Sequence, residues 1–275
     1  LIASAFSTKE QEKYDIQGQY WLTQTETSEN LGVGTYFQHS RNYLKANIKN
    51  VKLLFNHKTS KHNIESAFTM KWENIKEISN EYEMRDSSGY NIPNTPEALN
   101  MIYSLRAKNE LSSQRIEGYI QDTYRFTSKH EHTLFTLNYG IRVSNWSFNK
   151  ETIISPRVSL GITPAFNHNI TMRFATGLYY QAPFFKELRD TTISNGVTYA
   201  QFNNKVKSQR SLQFIAGLDY NFKIKEHQYK FTAEAYYKAL SNLIPYSVNN
   251  VKVIYYGDQL CNGHAAGLDL SLIHI

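Results

Sequence analysis

Residues 211–224, SLQFIAGLDYNFKI, alternate an unbroken apolar face with one that is mostly small or polar. One face carries Leu212, Phe214, Ala216, Leu218, Tyr220, Phe222 and Ile224. The other carries Ser211, Gln213, Ile215, Gly217, Asp219, Asn221 and Lys223. A period of two is the signature of a strand with one apolar face. Its length narrows the choice further. Thirteen residues of strand span roughly 40 Å, or roughly 28 Å when tilted by about 45°, close to the hydrocarbon thickness of a bilayer. Strands of soluble domains are usually about five or six residues long.

Other segments obey the same rule. Thr133, Phe135, Leu137, Tyr139, Ile141 and Val143 oppose Thr136, Asn138, Gly140, Arg142 and Ser144. Met172, Phe174, Thr176, Leu178 and Tyr180 oppose Arg173, Ala175, Gly177, Tyr179 and Gln181. Phe231, Ala233, Ala235, Tyr237 and Ala239 oppose Thr232, Glu234, Tyr236 and Lys238, and Ile64, Phe68, Met70 and Trp72 oppose Glu65, Thr69, Lys71 and Glu73. Arg142, Arg173, Asp219 and Glu234 sit in mid-strand, which is tolerable only where that face meets water. Hydrophobic content is 41 % and mean hydropathy −0.52, and no run of about 18 apolar residues exists, so a transmembrane helix is excluded. A transmembrane barrel needs only every second residue apolar. The net charge of +6 is spread along the chain rather than gathered on one element, which argues against nucleic-acid binding.

Eleven strands are expected, at 1–7, 13–23, 46–56, 63–83, 112–127, 132–146, 152–163, 168–181, 208–224, 228–241 and 263–272. Short polar turns fall at 8–13, 57–62, 127–132, 164–168 and 224–228. Long links fall at 24–45, 84–111, 182–207 and 241–262, with 147–152 the short exception. Short turns on one side and long loops on the other are the habit of outer-membrane barrels. Tyr179 and Tyr180 then lie at the long-loop end of their strand, where aromatic rings suit a membrane–water interface. Pro183 cannot donate to a ladder, so pairing should stop there, and FFKELRD after it reads as one helical turn. SNWSF and EAYYKALSNLIPY end their strands in the same aromatic way.

No catalytic constellation appears, no metal site and no cofactor motif, and the chain is not read as an enzyme. Cys261 is the lone cysteine and has neither a disulfide nor a metal partner. Gly32-Val33-Gly34 is a bare GxG, read as loop glycines. His130-Glu131-His132 is read as a solvated turn rather than a metal ligand set. Asn145-Trp146-Ser147 is formally a glycosylation sequon without meaning in the inferred compartment. Glu187 and Asp190 are read as a solvated loop face rather than an acid–base pair. The inward polar row is open to three readings: a substrate path, a plug contact or trapped water.

Six stretches carry a resemblance: EGYIQDTYRF (117–126), NYGIRVSNWSFNKETIISPRVSLGITP (138–164), ATGLYYQAPFFKELRD (175–190), FIAGLDYNFK (214–223), FTAEAYYKALSNLIPYSVNNVKVIYYGD (231–258) and HAAGLDLSL (264–272). The chain resembles the C-terminal barrel region of TonB-dependent outer-membrane receptors, in the branch whose members often carry a carboxypeptidase-regulatory-like N-terminal domain. The resemblance implies an all-β, antiparallel, up-and-down transmembrane barrel. Residues 1–275 would form about half of 22 strands, as part of a longer chain whose plug and N-terminal domains lie elsewhere. It implies active import of a scarce ligand (siderophore, cobalamin, peptide or glycan) across the outer membrane of a Gram-negative bacterium. The implied partners are outer-membrane lipid and lipopolysaccharide, the TonB complex acting through the N-terminal part, and a surface lipoprotein. It places no ligand residue on this sequence. The final hexapeptide, Leu270 to Ile275, reads LSLIHI, which the transposase-end adapter CTGTCTCTTATACACATC also encodes; this end is expected to be an assembly product rather than native sequence.

Two other classes make different demands. A soluble extracellular β-sandwich, such as a carbohydrate-binding module, requires shorter strands and a polar outward face, and the thirteen-residue apolar face at 212–224 argues against it. A barrel enzyme, such as an outer-membrane protease or lipase, requires acid–base or Ser–His groups at the loop ends, and none stands out.

Overall fold

The computed structural model describes residues 2–22, 34–85, 100–128, 132–249 and 252–274. In chain order the strands are β1 (Ile2–Leu22), β2 (Gly34–Lys58), β3 (His62–Arg85), β4 (Asn100–Thr127), β5 (Leu134–Trp146), β6 (Glu151–Thr163), β7 (Ile170–Gln181), β8 (Arg189–Ser194), β9 (Val197–Phe202), β10 (Gln209–Ile224), β11 (His227–Leu243), β12 (Tyr246–Asn249), β13 (Lys252–Tyr255) and β14 (Cys261–His274). The long strands lie side by side as β1-β2-β3-β4-β5-β6-β7-β10-β11-β14, each antiparallel to its neighbour. β8 and β9 join them to make a sheet of 12 strands, and β12 and β13 form a separate ribbon. The sheet is all-β, up-and-down and open at β1 and β14.

Register puts the alternating residues into two continuous layers. One row runs Leu160–Phe174–Ala216–Ala235–Leu268 across five strands, and another runs Ile120–Ile141–Pro156. The exposed large apolar side chains Leu53, Phe68, Ile120, Ile141, Phe174, Phe214, Leu218 and Leu268 all belong to this layer. The opposite layer runs Gln121–Gly140–Arg157–Gly177–Gln213–Lys238–Ala265. An apolar face left exposed and a polar face turned inward is the inverse of a soluble sheet, and is what a barrel wall in lipid demands.

The turns expected at 57–62, 127–132, 164–168 and 224–228 fall where chain direction reverses, between β2 and β3, β4 and β5, β6 and β7, and β10 and β11. The turn expected at 8–13 does not exist. β1 runs straight through it, because Thr8 to Lys13 pair in register with Ile48 to Tyr43 of β2. The strands expected at 1–7 and 13–23 are therefore one, and ten long strands replace the eleven. The links at 24–45 and 84–111 also shrink, since residues 34–45 and 100–111 belong to β2 and β4. Outside lipid a strand needs no apolar alternate positions, so these extensions leave no period-two signal.

Ring contacts cluster at the short-turn end of the outward face. His62 stacks on Tyr124 at 4.5 Å, Tyr124 on Phe126 at 5.0 Å and Phe126 on Phe135 at 5.0 Å. Further along the wall, Tyr220, Phe222 and Tyr229 stack in turn at 5.2 and 5.6 Å. This is an aromatic belt at the interface opposite the long loops. At the long-loop end only Tyr180 of its pair faces outward; Tyr179 faces inward.

Candidate functional site

A packed core lies at the long-loop end of the sheet. Leu111, Trp146, Leu188, Val206 and Ile244 form one buried cluster, with Ile75, Phe148, Phe202 and Tyr255 packed against it. These residues come from β4, the end of β5 and the long links after β7 and β11. Trp146 is therefore not an interfacial anchor, contrary to the expectation for SNWSF. It is buried beneath the loops, its Nε1 donates to Ser113 Oγ at 3.1 Å, and the Arg115 guanidinium lies 4.7 Å from its ring centre.

Polar clamps hold the first long loop onto the wall. Glu151 accepts from the Ser208 amide at 3.0 Å and from its hydroxyl at 2.5 Å. Asn149 donates to the Val206 carbonyl, and Asn242 to that of Ser208. Glu77 of β3 accepts from Arg189 of β8 and from Asn109. β9 adds parallel to β4 at Leu105 to Ala107, a stretch that β5 is too short to reach. The second loop packs through Phe184 and Tyr255, edge to face at 5.2 Å. It approaches so closely at Gly257 that a Cβ there would lie 2.8 Å from the Glu187 carbonyl oxygen.

FFKELRD makes tight turns rather than an α-helical turn, with the Glu187 amide donating to the Phe184 carbonyl at 3.0 Å. Glu187 is buried, not solvated as expected. Its carboxylate accepts from the Phe184 amide at 3.0 Å and from Gln209 Nε2 at 3.4 Å. Burial raises its pKa above the ordinary value, partly opposed by the Phe184 amide. A carboxyl whose folded pKa is raised stabilises the docked loop fully below the unfolded value of about 4.3, and that contribution fades as pH rises through the raised one. Amides of 184–188 should thus exchange more slowly, after correction for intrinsic rates, at pH 4 than at pH 7. Glu187→Gln should remove that difference, and a variant with the unchanged pH profile would count against this assignment. Asp190 is exposed on β8 and is not brought to Glu187 as a pair.

Below the loops the inner wall is polar. Arg173 NH2 lies 3.2 Å from Asp219 Oδ1 and 3.9 Å from Glu234, while Thr232 donates to Asp219 at 2.9 Å. Arg173 is flanked in register by Gly161 and Gly217, and Arg157 by Gly140 and Gly177. A Cβ at Gly177 would lie 3.0 Å from Arg157 Cγ, so the glycine clears room for the arginine stem. A cavity of about 480 Å3 opens on the wall between β4 and β7, lined by Tyr119, Asn138, Arg142, Ser155, Arg157 and Tyr179 among others. Arg142, Arg173, Asp219 and Glu234 all face inward, as their mid-strand charge required.

Asp122 is an acid that the alternation did not flag. Its register places it on the outward face, where it is buried and held by His62 Nδ1 at 2.7 Å and by the Tyr139 hydroxyl at 3.0 Å. Those two partners, from β3 and β5, both meet Oδ2, which bare lipid would leave unpaired, while Oδ1 is buried without a hydrogen-bond partner among the described residues. Among the described residues no group of three or more potential ligands for a metal is found. His130-Glu131 and Gly32-Val33 lie outside the described residues. Cys261 is exposed, and its thiol lies 3.6 Å from the Leu243 carbonyl.

A family model described as "TonB dependent receptor-like, beta-barrel" matches residues 4–272. The chain belongs to this family of TonB-dependent receptor barrels. No curated protein matches it. Among solved structures, this receptor barrel is similar to the outer-membrane transporter YddB of Escherichia coli, at 14% identity, TM-score 0.48, covering 98% of this chain and 37% of that one. It is similar also to the ferric enterobactin receptor PfeA in complex with BCV-L6, at 13% identity, TM-score 0.45, covering 86% and 40%. A third is the Serratia marcescens hemophore receptor HasR in complex with its hemophore HasA and heme, at 9% identity, TM-score 0.46, covering 99% and 57%. The chain thus spans less than two thirds of each of these proteins.

Proposed function

We propose that the chain is part of the wall of an outer-membrane receptor of a Gram-negative bacterium, importing a scarce nutrient under the drive of the TonB complex. The observation that carries this reading is the two-layer register: an exposed apolar stripe centred on Leu218 and a charged inner wall centred on Asp219. The open edges at β1 and β14 need further strands, so these residues would supply about half of a 22-stranded wall. A plug domain in the same polypeptide would fill the lumen and receive the pull of TonB. Lipid and lipopolysaccharide would surround the stripe, and the loop cluster would meet the ligand and a surface lipoprotein. On this reading the protein is a transporter rather than an enzyme. We hold also that Leu270–Ile275 derive from an adapter, which resequencing of the locus would test.

Spin labels at positions 218 and 219 of the complete protein test the reading in native membranes. The label at 218 should be relaxed by oxygen and the label at 219 by a water-borne reagent. The reverse pattern would sink it, as would recovery of the protein in the soluble fraction without detergent.

A further inference from the structure

The inner wall treats its charges in two ways. Midway along β7, β10 and β11 charges pair: Arg173 meets Asp219 and Glu234, and Lys230 lies 3.9 Å from Asp219. Near the loops Arg189 is paired with Glu77. Over β4 to β6 they are not. Lys52, Arg142 and Arg157 converge on the 480 Å3 cavity, and among the described residues no ion pair reaches any of them. The two guanidiniums lie against rings: Arg157 is 4.4 Å from the centre of Tyr179, and Arg142 5.7 Å from that of Tyr119.

The inward acids Glu65 and Glu117 meet neutral groups and, among the described residues, form no ion pair with these cations. Glu65 accepts from Gln121 at 2.9 Å and from Asn56 at 3.2 Å, and Glu117 lies 3.5 Å from the Ser144 hydroxyl. Asp122 borders the cavity, but its carboxylate is held on the opposite face of the sheet by His62 and Tyr139. Three cations sharing one concavity repel one another, and that repulsion is relieved by an anion. A guanidinium lying over a ring keeps its N–H edge free, and that edge matches the paired oxygens of a carboxylate or phosphate. The volume suits a small solute rather than a single ion.

We infer that the cavity over β4–β6 binds an anionic solute bearing carboxylate or phosphate oxygens, through Lys52, Arg142 and Arg157. The inference deepens the import reading and rests on it, since it names the chemical class of what passes along this wall.

The test uses the full-length receptor in detergent, with citrate and inorganic phosphate as probes in isothermal titration and maltotriose as the neutral control. Wild type should bind at least one anion and ignore maltotriose. Arg142→Gln combined with Arg157→Gln should weaken anion binding at least tenfold, while Lys238→Gln, an equal kind of charge loss on the wall outside the cavity, should change it less than twofold. Heat-modifiable migration on a gel would show that each variant is a folded barrel. Failure of both anions to bind wild type, equal binding by the double variant, or equal binding of maltotriose would overturn the inference. So would binding that appears only after the polypeptide upstream of Leu1 is removed, because the chain itself would then be the occupant. A barrel that inserts into outer membranes but ignores both anions sinks this inference alone; a protein recovered without detergent sinks the import reading.

Discussion

Leu218→Arg should destabilise the membrane-inserted barrel by about 2–4 kcal/mol, the cost of a cation on the lipid face near the bilayer midplane. Leu218 is the central residue of the seven-position apolar face and is exposed on it. Its cross-strand partners Met172 and Ala233 are apolar, so no counter-charge waits on that face. One residue on, Asp219 faces Arg173 and Thr232 on the wet side. Asp219→Asn should cost far less, because Thr232 and solvent can still serve an amide. Equilibrium folding of the complete protein into phospholipid vesicles, followed by tryptophan fluorescence against denaturant, gives both values. Equal costs at the two positions would mean that the two faces share one solvent, and the barrel reading would fall with them.

The same asymmetry explains what could be read in the sequence. Lipid imposes a rule on every second residue, so 211–224 and 134–146 declare both their strand and their faces. Water imposes no such rule. β1 could not be traced through TKEQEK, because a polar run reads as a turn until the partner strand is known to be equally long. The hairpin of β8 and β9 was hidden for a related reason: its docking on β4 depends on β5 stopping at Trp146, a difference in strand length that local pattern does not carry. Asp122 looked unremarkable until register set it beside His62, 60 positions away. The inner wall was legible as wet, but the paired charges around Asp219 and the unpaired cations around the cavity were not. That contrast needs the pairing of Arg173 with Asp219, 46 positions apart.

Trp146→Ala should release the loop cluster while leaving the spanning sheet in place. The indole is 4 % exposed, and truncating a buried aromatic costs about 3–5 kcal/mol. It also removes the donor to Ser113 Oγ, whose hydroxyl keeps its bond to Glu73, and the ring beneath Arg115. That loss falls on loops whose remaining attachments are the three-residue pairing of β9 on β4, with Ala200 buried against Leu105 and Ala107, and a few polar clamps, chiefly Glu151 with Ser208 and Arg189 with Glu77. Individual hydrogen bonds contribute about 0.5–1.5 kcal/mol net, and those to charged groups about 1.5–3, so few clamps can offset the lost core. The sheet should not follow, because Trp146 is only the last pair of the β5 ladder, its backbone stays available for pairing in the variant, and its ring lies off the lipid face. Limited proteolysis in detergent should therefore cut the variant within 182–208 at rates at least tenfold above wild type, while its heat-modifiable migration is unchanged. Uniform loss of both would show instead that this small outer core is a condition for closing the wall, with the loops and barrel folding as one unit.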